Sequence, residues 1–130
     1  DDILAVQILT SKVVDGYKKN KKNVFNNINI FKNIEDEKFA KNLLSKTIKK
    51  RDENTEIIHE LAKNWDFDRI SILDSILLQL AITEMTEFDS IPHKVSINEY
   101  IEIAKIYSTK KSYEFINGIL DTFLKKKILI

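Results

Sequence analysis

Apolar residues recur along this chain at helical spacing. Phe39, Ala40, Leu43, Leu44, Thr47 and Ile48 fall at i, i+1, i+4 and i+5, which draws one stripe on a helix over residues 37–50. Ile57, Ile58, Leu61, Ala62 and Trp65 repeat that stripe over 53–65, with Asp52 placed to cap it. The pattern changes over 72–87. There Ile72, Leu73, Ile76, Leu77, Leu78, Leu80, Ala81, Ile82 and Met85 leave only a narrow polar strip through Ser75, Gln79 and Thr83. A helix apolar nearly all round is buried against several neighbours, so this is the predicted central helix. It opens with Ser71-Ile72-Leu73-Asp74, the spacing of a capping box.

Pro92 breaks the chain, and Ser96-Ile97-Asn98-Glu99 forms a second capping box that starts a helix running to Tyr107. Its stripe is Ile97, Tyr100, Ile101, Ala104 and Tyr107. Ser112 is placed to cap a last helix carrying Phe115, Ile116, Ile119, Leu120, Phe123 and Leu124. Gly118 lies inside that helix at a cost of ~1 kcal/mol relative to Ala, which predicts another backbone packed close to it. Lys125, Lys126 and Lys127 suit the carboxyl end of the same helix. Ahead of all this, Ile3, Val6, Leu9, Val13 and Tyr17 predict a helix over 3–17 that ends near Gly16. Residues 18–34 read as a polar loop rich in lysine and asparagine. The chain therefore divides into a first part, 1–35, and a helical domain, 36–130.

Composition supports the helical reading. The 130 residues include two glycines, one proline and no cysteine. Strands joined by tight turns need more of the first two, so the expected fold is all-α, a compact bundle of about six helices. Hydrophobic residues make up 43% and charged residues 32%, a globular composition with enough length for a real core. No apolar run approaches the ~18–20 residues of a membrane helix. The start at Asp1-Asp2 has no basic leader, and the chain reads as a fragment of something longer. Absence of cysteine fits the cytoplasm.

Charge adds little by itself. Lys plus Arg is 21 and Asp plus Glu is 20, so nucleic acid could be held only by a local patch. Candidate chemistry is sparse. Gly16 and Gly118 stand alone, so there is no glycine-rich phosphate loop. His59-Glu60 starts like a zinc-protease motif, but Lys63 stands where the second ligand belongs. No nucleophile has an evident base. The residues argue for a binding module without a cofactor and against an enzyme.

The second half of the chain carries longer signatures. They are Trp65-Asp-Phe-Asp-Arg-Ile70, Leu73-Asp-Ser-Ile-Leu-Leu-Gln-Leu-Ala-Ile-Thr-Glu84, Ile91-Pro-His-Lys-Val-Ser-Ile-Asn-Glu99, and Phe115-Ile-Asn-Gly-Ile-Leu-Asp121. In this order and spacing they resemble the NusB family of transcription antitermination factors, over about residues 36–124. The resemblance implies an all-helical, cytoplasmic, non-enzymatic adaptor. It implies binding of boxA-type RNA together with NusE, a small-subunit ribosomal protein, and indirect contact with other Nus factors and RNA polymerase. Residues 1–17 hold one lysine and no arginine, whereas typical members open with an arginine-rich segment.

By the same resemblance, Lys110, Lys111 and Phe115 lie on an RNA-facing surface, lysines on phosphate and the ring on an unstacked base. Asp68 and Asp74 match positions that meet the basic partner NusE. The residues themselves also allow plainer roles: Phe115 in the core, Asp74 in its capping box, Trp65 as a core plug, and Asn98 and Asn117 bonded to backbone near Gly118. Two other readings stay open. One is the NusB-like RNA-binding domain of a ribosomal RNA cytosine methyltransferase. The other is a helical protein–protein module that does not bind RNA.

Overall fold

A computed structural model describes residues 34–65 and 70–129. These form five helices and no strand: α1 (Ile34–Lys49), α2 (Arg51–Ala62), α3 (Ile72–Glu87), α4 (His93–Tyr107) and α5 (Lys110–Leu129). The helix expected over 3–17, the loop after it and Asp68 lie outside the described residues. None of the described helices is long and apolar enough to cross a membrane.

Helix α3 has the predicted limits and the predicted place. It packs against each of the other four helices, and Leu77, Leu78, Ala81, Ile82 and Met85 are fully buried. Its first turn is capped as expected, with the Asp74 backbone N–H donating to Ser71 Oγ at 3.1 Å. Around it, Leu43, Ile58, Tyr100, Ile103, Phe115, Ile116, Ile119 and Leu120 complete the core. Thr47 joins the α1 stripe because its hydroxyl donates to the Leu43 carbonyl at 2.6 Å.

The starts of the other helices differ from the sequence expectation. Helix α2 begins at Arg51 with no side-chain cap, and Lys50 alone separates it from α1. Helix α4 begins at His93, directly after Pro92, because proline loses nothing where an N–H has no intrahelical acceptor. Ser96 therefore stands inside α4 and caps nothing. It is fully buried, and its hydroxyl donates to Glu84 Oε2. Helix α5 is capped by Thr109, whose Oγ1 accepts the Ser112 N–H at 3.1 Å, so Ser112 is a helical residue.

The polar strip on α3 faces α2 and not solvent. Gln79 Nε2 donates to Thr55 Oγ1 at 2.9 Å and to the Arg51 carbonyl at 3.2 Å. Asn54 Nδ2 donates to Thr83 Oγ1 at 3.0 Å, and Thr83 donates on to the Gln79 carbonyl at 2.9 Å. On α4's side of α3, the buried Glu84 carboxylate accepts from Ser96 and from the Tyr100 hydroxyl, the latter at 3.2 Å. Burial, then the Glu84 charge, pushes the Tyr100 hydroxyl well above the ordinary tyrosine range.

Lysines gather at the carboxyl end of α3, where helix carbonyls carry partial negative charge. Lys127 donates to the Met85 carbonyl, so it serves α3 and not the end of its own helix. Lys50 and Lys46 bind the two oxygens of Glu87 at 3.1 and 3.4 Å. Lys46 also stands 5.6 Å from the Phe88 ring, which meets Phe39 edge-on.

Candidate functional site

The candidate RNA residues sit where α4 hands over to α5. Ser108 closes α4 through its N–H to the Ala104 carbonyl at 2.8 Å, and Thr109 opens α5. A two-residue connection thus places Lys110 and Lys111 on the first turn of α5, both exposed. Lys110 reaches Glu114 at 3.9 Å, with both side chains largely in solvent, so the pair holds little energy. Lys105 adds a third cation close by, 5.8 Å from the Tyr113 ring.

Phe115 lies one turn after Lys111 and has no exposed surface. Its ring belongs to the core beside Ile116 and Ile119 and offers no face to a base. The reading of Phe115 as an open stacking surface is corrected to that extent.

The exposed aromatic beside it is Trp65. The indole meets the Phe115 ring at 5.4 Å and 83°, edge to face, and 36% of Trp65 is exposed. It is a cover and not a core plug. Gly118 makes room for it. A Cβ built at Gly118 would overlap Trp65 Cζ2 and stand 2.8 Å from Cη2. The close neighbour expected at Gly118 is therefore this indole and not a backbone. Asn98 and Asn117 are exposed, and neither serves that contact.

The Asp74 side chain faces inward. It is 1% exposed, and its Oδ1 accepts from Ser108 Oγ at 3.2 Å. The carboxylate therefore ties the start of α3 to the end of α4 and presents no open charge. Desolvation of an acid is tolerable there because the helix amino end and the hydroxyl both favour it. The residues flanking this bond are apolar and open: Ile72 at 64%, Ile106 at 63% and Tyr107 at 56% exposure.

Sequence reasoning placed Trp65 in the core and missed the exposure of this apolar trio. A signal existed for Ile106, which falls off the α4 stripe. None existed for Tyr107, which continues the stripe and still points outward. For Trp65 the signal was Gly118, read with the wrong neighbour in mind.

Comparisons with known proteins come down on one family. The model of the NusB family matches residues 3–125. The transcription antitermination protein NusB of Salinibacter ruber is 46% identical over 86 residues, covering 66% of this chain and 54% of its own length. The protein of that name from Finegoldia magna is 46% identical over 99 residues, covering 76% of this chain and 71% of its own. The chain thus spans about half the length of the first relative and under three quarters of the second. A solved structure of T. maritima NusB superposes with a TM-score of 0.70 at 25% identity, over 93% of this chain and 88% of its own. Sequence signatures, helix order and a match from residue 3 to residue 125 agree: this chain belongs to the NusB family.

Proposed function

We propose that this chain is a transcription antitermination adaptor, without enzymatic activity, that works in the cytoplasm by binding boxA-type RNA jointly with NusE. The observation that carries the reading is the family match across residues 3–125.

The mechanism is assembly. Lys110 and Lys111 take phosphate oxygens at the α4–α5 junction, and Phe115 acts from beneath by fixing the surface above it. Asp68 and Asp74 belong to the NusE side. Asp74 contributes there through its bond to Ser108, which sets the open Ile72, Ile106 and Tyr107 at one end of the bundle. An open apolar patch suits a protein partner, since its burial supplies affinity. Other Nus factors and RNA polymerase are reached through that assembly.

The test is a titration of boxA-like and scrambled RNA at two salt concentrations, with and without NusE. Preference for boxA, strengthened by NusE and weakened by salt, supports the reading. Lys111→Glu should weaken binding to both RNAs alike and lower the salt slope by about 1 or more. NusE binding without any RNA binding would leave a protein–protein module instead.

A further inference from the structure

We propose that Trp65 is the platform on which an unpaired RNA base stacks, beside the phosphate contact of Lys111. The inference rests on the RNA-binding reading above and names the residue that reads the base face.

Among the phenylalanine, tyrosine and tryptophan side chains of the described residues, two are exposed, Trp65 and Tyr107. Tyr107 is the last residue of α4, next to Ser108, whose hydroxyl bonds Asp74. Trp65 lies on the strip of α5 that carries Lys111. Positions 111, 115, 118, 122 and 125 follow one another at steps of four and three, which keeps them on one side of the helix. The indole rests on Phe115 and Gly118, in the middle of that strip. Lys111 is one turn before Phe115, and the helix rise sets it about 10 Å along the axis from Gly118. Lys125 stands at the other end of the strip, exposed. A strand following this strip would meet a cation, an indole and a cation in turn.

The indole is also held ready. The Trp65 backbone N–H donates to the Ala62 carbonyl at 3.0 Å, closing a turn beyond α2. Phe115 meets it edge-on from below, and any side chain at Gly118 would push it off its seat. Such fixing removes the entropy cost of ordering an aromatic side chain at the moment of binding. Every base has a π-face, so this contact adds affinity with little sequence preference.

Trp65 is the one tryptophan of the chain, so its fluorescence reports on this site directly. The experiment titrates the full chain, with NusE present, with a boxA-like single strand, following indole emission and affinity together. Quenching that saturates with the binding isotherm is expected. Trp65→Leu should weaken RNA binding roughly ten- to a hundredfold with an unchanged salt slope, while NusE affinity holds. Trp65→Phe should recover most of the loss and keeps the test open if the leucine variant folds poorly.

Several results would overturn the proposal. Wild-type affinity in Trp65→Leu, with Lys111→Glu impaired, places the RNA elsewhere and leaves the adaptor reading standing. A loss confined to NusE binding assigns the indole to the protein partner. Wild-type protein that binds no RNA under any condition removes the adaptor reading and this proposal with it.

Discussion

Against α2, helix α3 presents Gln79 and Thr83, and the contact is a run of neutral hydrogen bonds through Asn54 and Thr55. About half a turn round, Leu77, Ala81 and Glu84 form the opposite side, where the Glu84 carboxylate takes its donors from Ser96 and Tyr100 of α4. Both sides bury polar atoms, but they fail differently. Neutral partners on the α2 side can be replaced pairwise at small net cost. A carboxylate in an apolar setting cannot lose a donor, or be lost itself, without leaving something unsatisfied. The α2 side sets rotation and register; the α4 side commits the fold to one arrangement.

Substitutions on the two sides test this contrast. The largest effect is expected from Leu77→Ala on the apolar side, a loss of about 2–5 kcal/mol in urea unfolding. Glu84→Gln comes next. It keeps the shape but sets an amide hydrogen against one of two hydroxyl donors, for a loss of about 1–3 kcal/mol. A neutral outcome there would end the contrast between the sides. On the α2 side, Thr83→Val orphans the Asn54 amide and should cost about 1 kcal/mol. The double variant Asn54→Leu with Thr83→Val should be more stable than the two single losses summed, which a double-mutant cycle reads directly.

Two pH experiments sharpen the picture further. The Tyr100 hydroxyl keeps its proton in the folded state to a higher pH than in the unfolded chain. Its contribution is therefore complete below about pH 10 and is lost as pH rises beyond that. Tyr100→Phe should flatten the alkaline fall in stability. The smallest effect is expected at the lysine-rich end of α3. A hydrogen bond from Lys50, then its charge and Lys46, hold the Glu87 carboxyl below its usual range. That support is present above about pH 4.3 and fades as pH falls through the folded value. Glu87→Gln should remove a small acid-side slope and the matching salt dependence.

The candidate site was less legible than the fold. Lys110 and Lys111 were expected just ahead of a helix capped by Ser112, and they stand instead on its first turn, exposed, because Thr109 is the cap. Phe115 and Asp74 were singled out by resemblance, yet both side chains turn inward. Their positions along the helices said which turn they occupy. They did not say that Trp65 covers Phe115 or that Ser108 reaches Asp74. Ser96 shows the same limit. Its spacing to Glu99 imitates a cap, and only the start of α4 at His93 reveals that its hydroxyl serves Glu84.

Sequence alone determined the helical class, the central position of residues 72–87 and the family signatures. Each of these depends on local spacing, because 3.6-residue periodicity and the scarcity of glycine and proline act within one segment. Tertiary structure decided the pairings of Gln79 with Thr55, Glu84 with Ser96, Lys127 with the Met85 carbonyl, and Trp65 with Gly118. Those contacts depend on how far each helix is rotated about its own axis against its neighbours. That rotation is settled by packing the whole core at once, and no single segment carries it.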